Sequence, residues 1–94
     1  MRVIPGRSGT VYLIGAGPGD PELLTIRGLR ALRRSQVVVY DRLIDPALLE
    51  EATPDAEFIF VGKRGGHYSF PQDEINRLLI RSARAGKNVA RLKG

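Results

Sequence analysis

Asp41, Lys63 and Arg64 are the residues whose types and settings in this chain could do chemistry. Asp41 follows an apolar run and offers a carboxylate that could take a proton. Its plainer role is to open a turn, with Arg42 as a weak surface partner. Lys63 and Arg64 stand among Gly62, Gly65 and Gly66, where missing side chains let backbone amides and two cations approach an anionic group. A solvated loop is the competing interpretation. A third stretch, Gly15-Ala16-Gly17-Pro18-Gly19-Asp20, approaches the G-x-G-x-x-G dinucleotide fingerprint but puts Asp20 where the third glycine belongs. A carboxylate there takes the positive end of the following helix, where a diphosphate would bind. Asp41 falls 24 residues after Gly17, which keeps a ribose-binding acid in play. His67 is the single histidine and cysteine is absent, so no metal site is expected.

These residues need strands to place them. Four short runs read as strands: 11–14, 36–40, 57–61 and 88–92. Between the first two, a helix of about fourteen residues is predicted, with Asp20 as N-cap and Pro21 at its first position. Leu23, Ile26, Leu29 and Leu32 form its apolar stripe, and Gly28 within it points to close packing against a strand. A short helix follows at 46–51, started by Asp45. Ser69 and Gln72 have capping-box spacing for a last helix with Ile75, Leu78, Leu79 and Ala83 inward and Gly86 as terminator. Alternation at this spacing predicts an α/β fold in three layers with a mainly parallel sheet, residues 1–9 being a flexible lead-in. In such a sheet the loops at 15–20, 41–45 and 62–68 share the carboxyl edge, where ligands bind.

The 94 residues suit one small domain or part of a larger one. No stretch approaches the length of a membrane span, and residues 1–9 contain no secretory core, so a cytoplasmic protein without a membrane partner is expected. The net charge is +5, and twelve of the fifteen cations are arginine. Arg27, Arg30 and Arg34 share one helix face, and Arg77, Arg81 and Arg84 another. Solvated faces explain them better than a nucleic-acid stripe, and an acidic small molecule is the other partner that such a charge suits.

Val11-Tyr12-Leu13-Ile14-Gly15-Ala16-Gly17-Pro18-Gly19-Asp20-Pro21-Glu22-Leu23-Leu24-Thr25 resembles the opening signature of the tetrapyrrole (corrin/porphyrin) methylases. Val39-Tyr40-Asp41-Arg42-Leu43, Val61-Gly62-Lys63-Arg64, Pro71-Gln72-Asp73-Glu74-Ile75-Asn76 and Arg91-Leu92-Lys93-Gly94 continue it in order. They narrow the resemblance to the members that C-methylate uroporphyrinogen III. It implies two α/β domains with S-adenosylmethionine between them, of which residues 1–94 resemble most of the first; the rest of the cofactor site and the second domain are absent. Residue by residue it implies Asp41 as general base and Lys63 as general acid. It places Pro18 and Gly94 at the cofactor; Gly17 and Gly15 of the same turn are assigned with them, and Arg42 and Arg64, as cations of the cleft loops, are assigned to substrate carboxylates. It further implies precorrin-2 as product on the way to siroheme or cobalamin, a homodimer for the full-length enzyme, and a fragment inactive alone. The family pattern has histidine at position 68, where this chain has Tyr68 after His67. Alternatives are a later precorrin methyltransferase of the corrin pathway, a dinucleotide-binding domain and a basic nucleic-acid module.

Overall fold

The computed structural model describes residues 1–5, 8–17, 20–62 and 70–94. Five strands form one sheet: β1 (Arg2–Pro5), β2 (Thr10–Gly15), β3 (Val37–Tyr40), β4 (Glu57–Phe60) and β5 (Val89–Lys93). Their order is β1-β2-β5-β3-β4, so the last strand in sequence lies at the centre. β2, β5, β3 and β4 run parallel, while β1 pairs antiparallel to β2 with Arg2 opposite Leu13 and Pro5 opposite Thr10. The flexible lead-in expected over 1–9 is therefore corrected at residues 2–5. Every residue of β1 is exposed, so it carries no half-buried alternation to betray a strand. What holds it is the free backbone edge of β2.

Helices cover both faces, as the three-layer expectation requires. On one face Ile14, Val38, Ala90 and Leu92 pack with Ala31 and Leu32 of α1 (Ile26–Arg33) and Leu48 of α2 (Pro46–Leu49). On the other, Val11, Val37, Val39 and Val89 pack with Ile75, Leu79 and Ala83 of α3 (Gln72–Arg84). The alternation of side chains along a strand sorts the two sets. Val37, Val38 and Val39 are buried on both sides, as a strand covered by helices above and below must be.

The first helix differs from the expected continuous one. Asp20 does cap a turn, its Oδ1 accepting from Glu22 N at 2.9 Å, but that turn is a 3₁₀ segment, Pro21–Leu23. Leu24 is then extended, and Thr25 starts α1 afresh with its Oγ1 accepting from Gly28 N at 3.0 Å. A hydroxyl that satisfies a helix's own first amides competes with continuing the preceding helix through that point. The break rotates the apolar stripe: Leu23 and Ile26 are exposed, and the buried residues are Gly28, Ala31 and Leu32. A Cβ on Gly28 would sit 3.1 Å from Ile14 Cγ2, which is the close strand approach expected there. Thr25→Ala should destabilise the domain by about 1 kcal/mol and lower Tm by several degrees. Thermal melts followed by circular dichroism check this, and an unchanged Tm would show that α1 does not depend on this cap.

α2 starts as expected from Asp45, whose Oδ1 accepts from Ala47 N at 2.8 Å. α3 begins at Gln72 after Pro71, with no side-chain capping bond at Pro71. Ser69 of the expected capping box lies outside the described residues. Gly86 follows the last turn at φ +90°, the left-handed conformation expected of the terminator.

Candidate ligand site at the carboxyl edge

Because β2, β3, β4 and β5 are parallel, their carboxyl ends lie along one edge, where the glycine turn and the aspartate turn meet; residues 63–68 of the third expected loop lie outside the described residues. The glycine turn leaves β2 and is tied to β5 by Ala16 N donating to the Lys93 carbonyl at 2.7 Å. Gly17 turns the chain at φ +77°, open to glycine and strained for other residues. The turn after β3 comes to meet it. Ala16, Gly17, Asp20 and Pro21 face Leu43, Ile44, Asp45 and Leu48 across a crevice too narrow for a water molecule.

Asp41 performs the structural task and leaves the chemical one open. Its Oδ1 accepts from Leu43 N at 2.9 Å, the turn-forming bond expected of an aspartate here. Asp41 is half-buried, and among the described residues its Oδ2 accepts no hydrogen bond. Arg42 is exposed and makes no ion pair with Asp41; the two ion pairs among the described residues are Arg33–Glu51 and Arg77–Asp73, both exposed. Gly94 reaches the same turn, since a Cβ on it would collide with Leu43 Cβ. Gly62 approaches from β4: a Cβ there would lie 2.9 Å from Arg42 N. Gly15 faces open space, with no heavy atom within 4 Å of its Cβ position. Asp41, Gly15, Gly17, Gly94 and Arg42 are thus gathered at one edge. Pro18, Lys63 and Arg64 lie outside the described residues.

Arg91 is a residue that the sequence analysis quoted within a motif but gave no role. It is 7% exposed on the central strand. Burial pulls its guanidinium below the usual arginine range, and the charge of Asp41 opposes that shift. The signal available in the sequence was a lone cation inside Val89-Ala90-Arg91-Leu92, a run otherwise apolar.

The edge suits a ligand without a diphosphate. Asp20 uses its carboxylate to cap the 3₁₀ turn, so the turn's free end presents negative charge where a pyrophosphate would need donors. A cationic sulfonium cofactor meets no such conflict at Asp20 and Asp41. α1 and α3 pack on opposite faces of the sheet, so the arginine groups they carry do not join into one stripe. No helix among the described residues is long and apolar enough to cross a membrane.

A glycine turn, an aspartate turn and a buried arginine lie at the carboxyl edge of an open, mainly parallel α/β sheet, and that sheet defines the fold class. The family model of the tetrapyrrole (corrin/porphyrin) methylases matches residues 10–94, and the chain belongs to that family. It is 59% identical over 87 residues to a uroporphyrinogen-III C-methyltransferase of Methanocaldococcus jannaschii, covering 93% of this chain and 36% of that one. It is 58% identical over 88 residues to a siroheme synthase of Pseudomonas putida (strain W619), covering 94% and 19%. A crystal structure of the uroporphyrin-III C-methyltransferase of Thermus thermophilus superposes with TM-score 0.77 at 44% identity, covering 95% of this chain and 36% of that one. A complex of the Thermus protein with S-adenyl homocysteine gives TM-score 0.68 at 51% identity, covering 89% and 32%. The chain therefore spans between about a fifth and about a third of the length of these relatives.

Proposed function

We propose that these residues form one wall of the cleft in an S-adenosylmethionine-dependent uroporphyrinogen-III C-methyltransferase that makes precorrin-2 for siroheme or cobalamin. The observation that carries this is the meeting of Asp41, the glycine turn and Gly94 at one sheet edge. It is supported by the identity to relatives so named. S-adenosylmethionine supplies the electrophilic methyl group. Gly15, Gly17, Pro18 and Gly94 border the cofactor, and three of these positions lack any side chain that could intrude. Asp41 takes on Oδ2 the proton that the macrocycle loses once a ring carbon has been methylated. Lys63 is assigned the complementary acid role, and Arg42 and Arg64 bind carboxylates of an octacarboxylate substrate, for which a +5 chain has the attractive sign. Aligning the two reactants does the rest and is worth several kcal/mol. A homodimer of the full-length enzyme in the cytoplasm, with neither nucleic acid nor membrane as partner, completes this reading, as does inactivity of residues 1–94 alone.

Grafting the 94 residues in place of the matching segment of the Pseudomonas putida siroheme synthase tests it. The hybrid should convert uroporphyrinogen III within about tenfold of the parent rate, a barrier change of about 1.4 kcal/mol. A folded hybrid that binds S-adenosylhomocysteine but turns over no uroporphyrinogen would count against the substrate. One that binds NAD or NADP instead would revive the dinucleotide alternative.

A further inference from the structure

The face of the sheet covered by α3 carries a second opening at the same edge. A cavity of about 270 Å³ is lined by Leu13 and Gly15 of β2, Gln72 and Asn76 of α3, and Arg91 and Lys93 of β5. Strand alternation explains the set: Val89 packs against α3, so Arg91 and Lys93 project to that face, opposite Leu13 and Gly15 in the register.

Arg91 is the informative member. It is 93% buried by its 7% exposure, yet among the described residues its side chain makes one hydrogen bond, from Nη1 to the Leu92 carbonyl at 2.8 Å. All ten aspartates and glutamates of the chain lie among the described residues, and none is within ion-pair distance of Arg91. Asp41 acts on it only at longer range. The acidic residues nearest in sequence to Gln72 look elsewhere: Asp73 pairs with Arg77 at 3.4 Å, and Glu74 lines a different cavity with Phe70 and Arg77. A buried cation without an anionic partner is costly, and here it borders a cavity that holds a second cation, two carboxamides and no acid. A planar guanidinium with unused donors matches a carboxylate in two-pronged fashion.

We propose that this cavity is a carboxylate subsite, with Arg91 as the cation that receives the anion, Lys93 at its mouth, and Asn76 Nδ2 as a neutral donor, joined by the second N–H of Gln72, whose Nε2 already donates to Asn76 Oδ1 at 3.2 Å. It rests on the proposed tetrapyrrole function for the ligands that could fill it, which present carboxylates in two forms: a substituent arm of the macrocycle and the amino-acid end of the cofactor.

The test is ¹H–¹⁵N NMR of the 94-residue chain, titrated separately with sodium acetate, uroporphyrin III and S-adenosylhomocysteine, with 5′-methylthioadenosine as the carboxylate-free control. Acetate should move the side-chain amides of Gln72 and Asn76 and the Arg91 Nε–H, and at least one larger ligand should move the same signals. Uroporphyrin III doing so assigns the macrocycle arm. S-adenosylhomocysteine doing so, with no effect of 5′-methylthioadenosine, assigns the cofactor. Lys93→Gln, at an exposed residue, should weaken the response about three- to tenfold, and Arg91→Met about ten- to a hundredfold, as expected for lost charge-assisted bonds. Absence of these shifts with every carboxylate, or unchanged shifts in either folded variant, overturns the subsite. If uroporphyrin III binds and moves only other residues while acetate and S-adenosylhomocysteine leave these signals still, the subsite falls and the proposed substrate stands. If acetate and S-adenosylhomocysteine move them while the siroheme synthase hybrid turns over no uroporphyrinogen III, the subsite stands and the proposed substrate falls.

Discussion

Asp41→Asn is expected to slow methyl transfer by the siroheme synthase hybrid by about 10²–10⁴-fold, the usual worth of a positioned general base. The substitution separates the two tasks of this residue. Asn keeps an Oδ1 that can accept from Leu43 N, so the turn after β3 retains its bond. What it loses is the basicity of Oδ2, which accepts no hydrogen bond among the described residues. Circular dichroism should therefore show an unchanged melt beside the lost turnover. Asp41→Ala removes the turn bond as well, and should lower both rate and Tm. Equal activity of the wild-type and Asn hybrids would reduce Asp41 to a turn former, and the proton would have to leave by another route.

Leu92→Ala should have the largest effect on stability, a loss of about 2–5 kcal/mol. Leu92 is fully buried on the central strand and packs with Ile14, Ala31, Leu32 and Leu48, so the cavity left behind cannot collapse from one side. Against the roughly 5–15 kcal/mol that stabilises a typical domain, that is enough to leave a large unfolded fraction. Ile80→Ala removes an aliphatic side chain that is half exposed on α3, and should change stability by no more than about 0.5 kcal/mol. Urea denaturation of the two variants measures the contrast; comparable losses would mean that the core is not where the structure puts it. Asp41→Asn and Leu92→Ala probe opposite ends of the same problem. Leu92 sits one residue after Arg91 and two before Gly94, so the strand that carries the core also delivers the site.

Much of this was legible in the sequence because it is local. Gly86 and Asp45 act on amides within a few residues of themselves, and their roles in the structure are those their types predict. β3 was visible because both faces are buried, which leaves the continuous apolar run Val37-Val38-Val39, and β5 was visible despite the interruption of its run by Arg91. β1 was not visible, because a fully exposed strand has no pattern and exists only through the edge it pairs with. The break at Leu24 and Thr25 was missed for another reason. Asp20-Pro21 and Thr25 are both good helix starts, and nothing in their order says which one the long helix uses.

The same division holds for the site. The motifs by themselves determined the family, the α/β fold and the place of the glycine and aspartate turns at one edge, since parallel strands force their carboxyl ends together. Only the tertiary structure decided which residues share a face beneath that edge. The sequence shows Arg91 as one cation among fifteen. Pairing of β5 between β2 and β3, with α3 laid across it, buries most of that side chain beside Gln72 and Asn76, with no acid within ion-pair distance. Burial and the lack of a counter-charge are properties of neighbours far apart in the chain, and no local pattern records them.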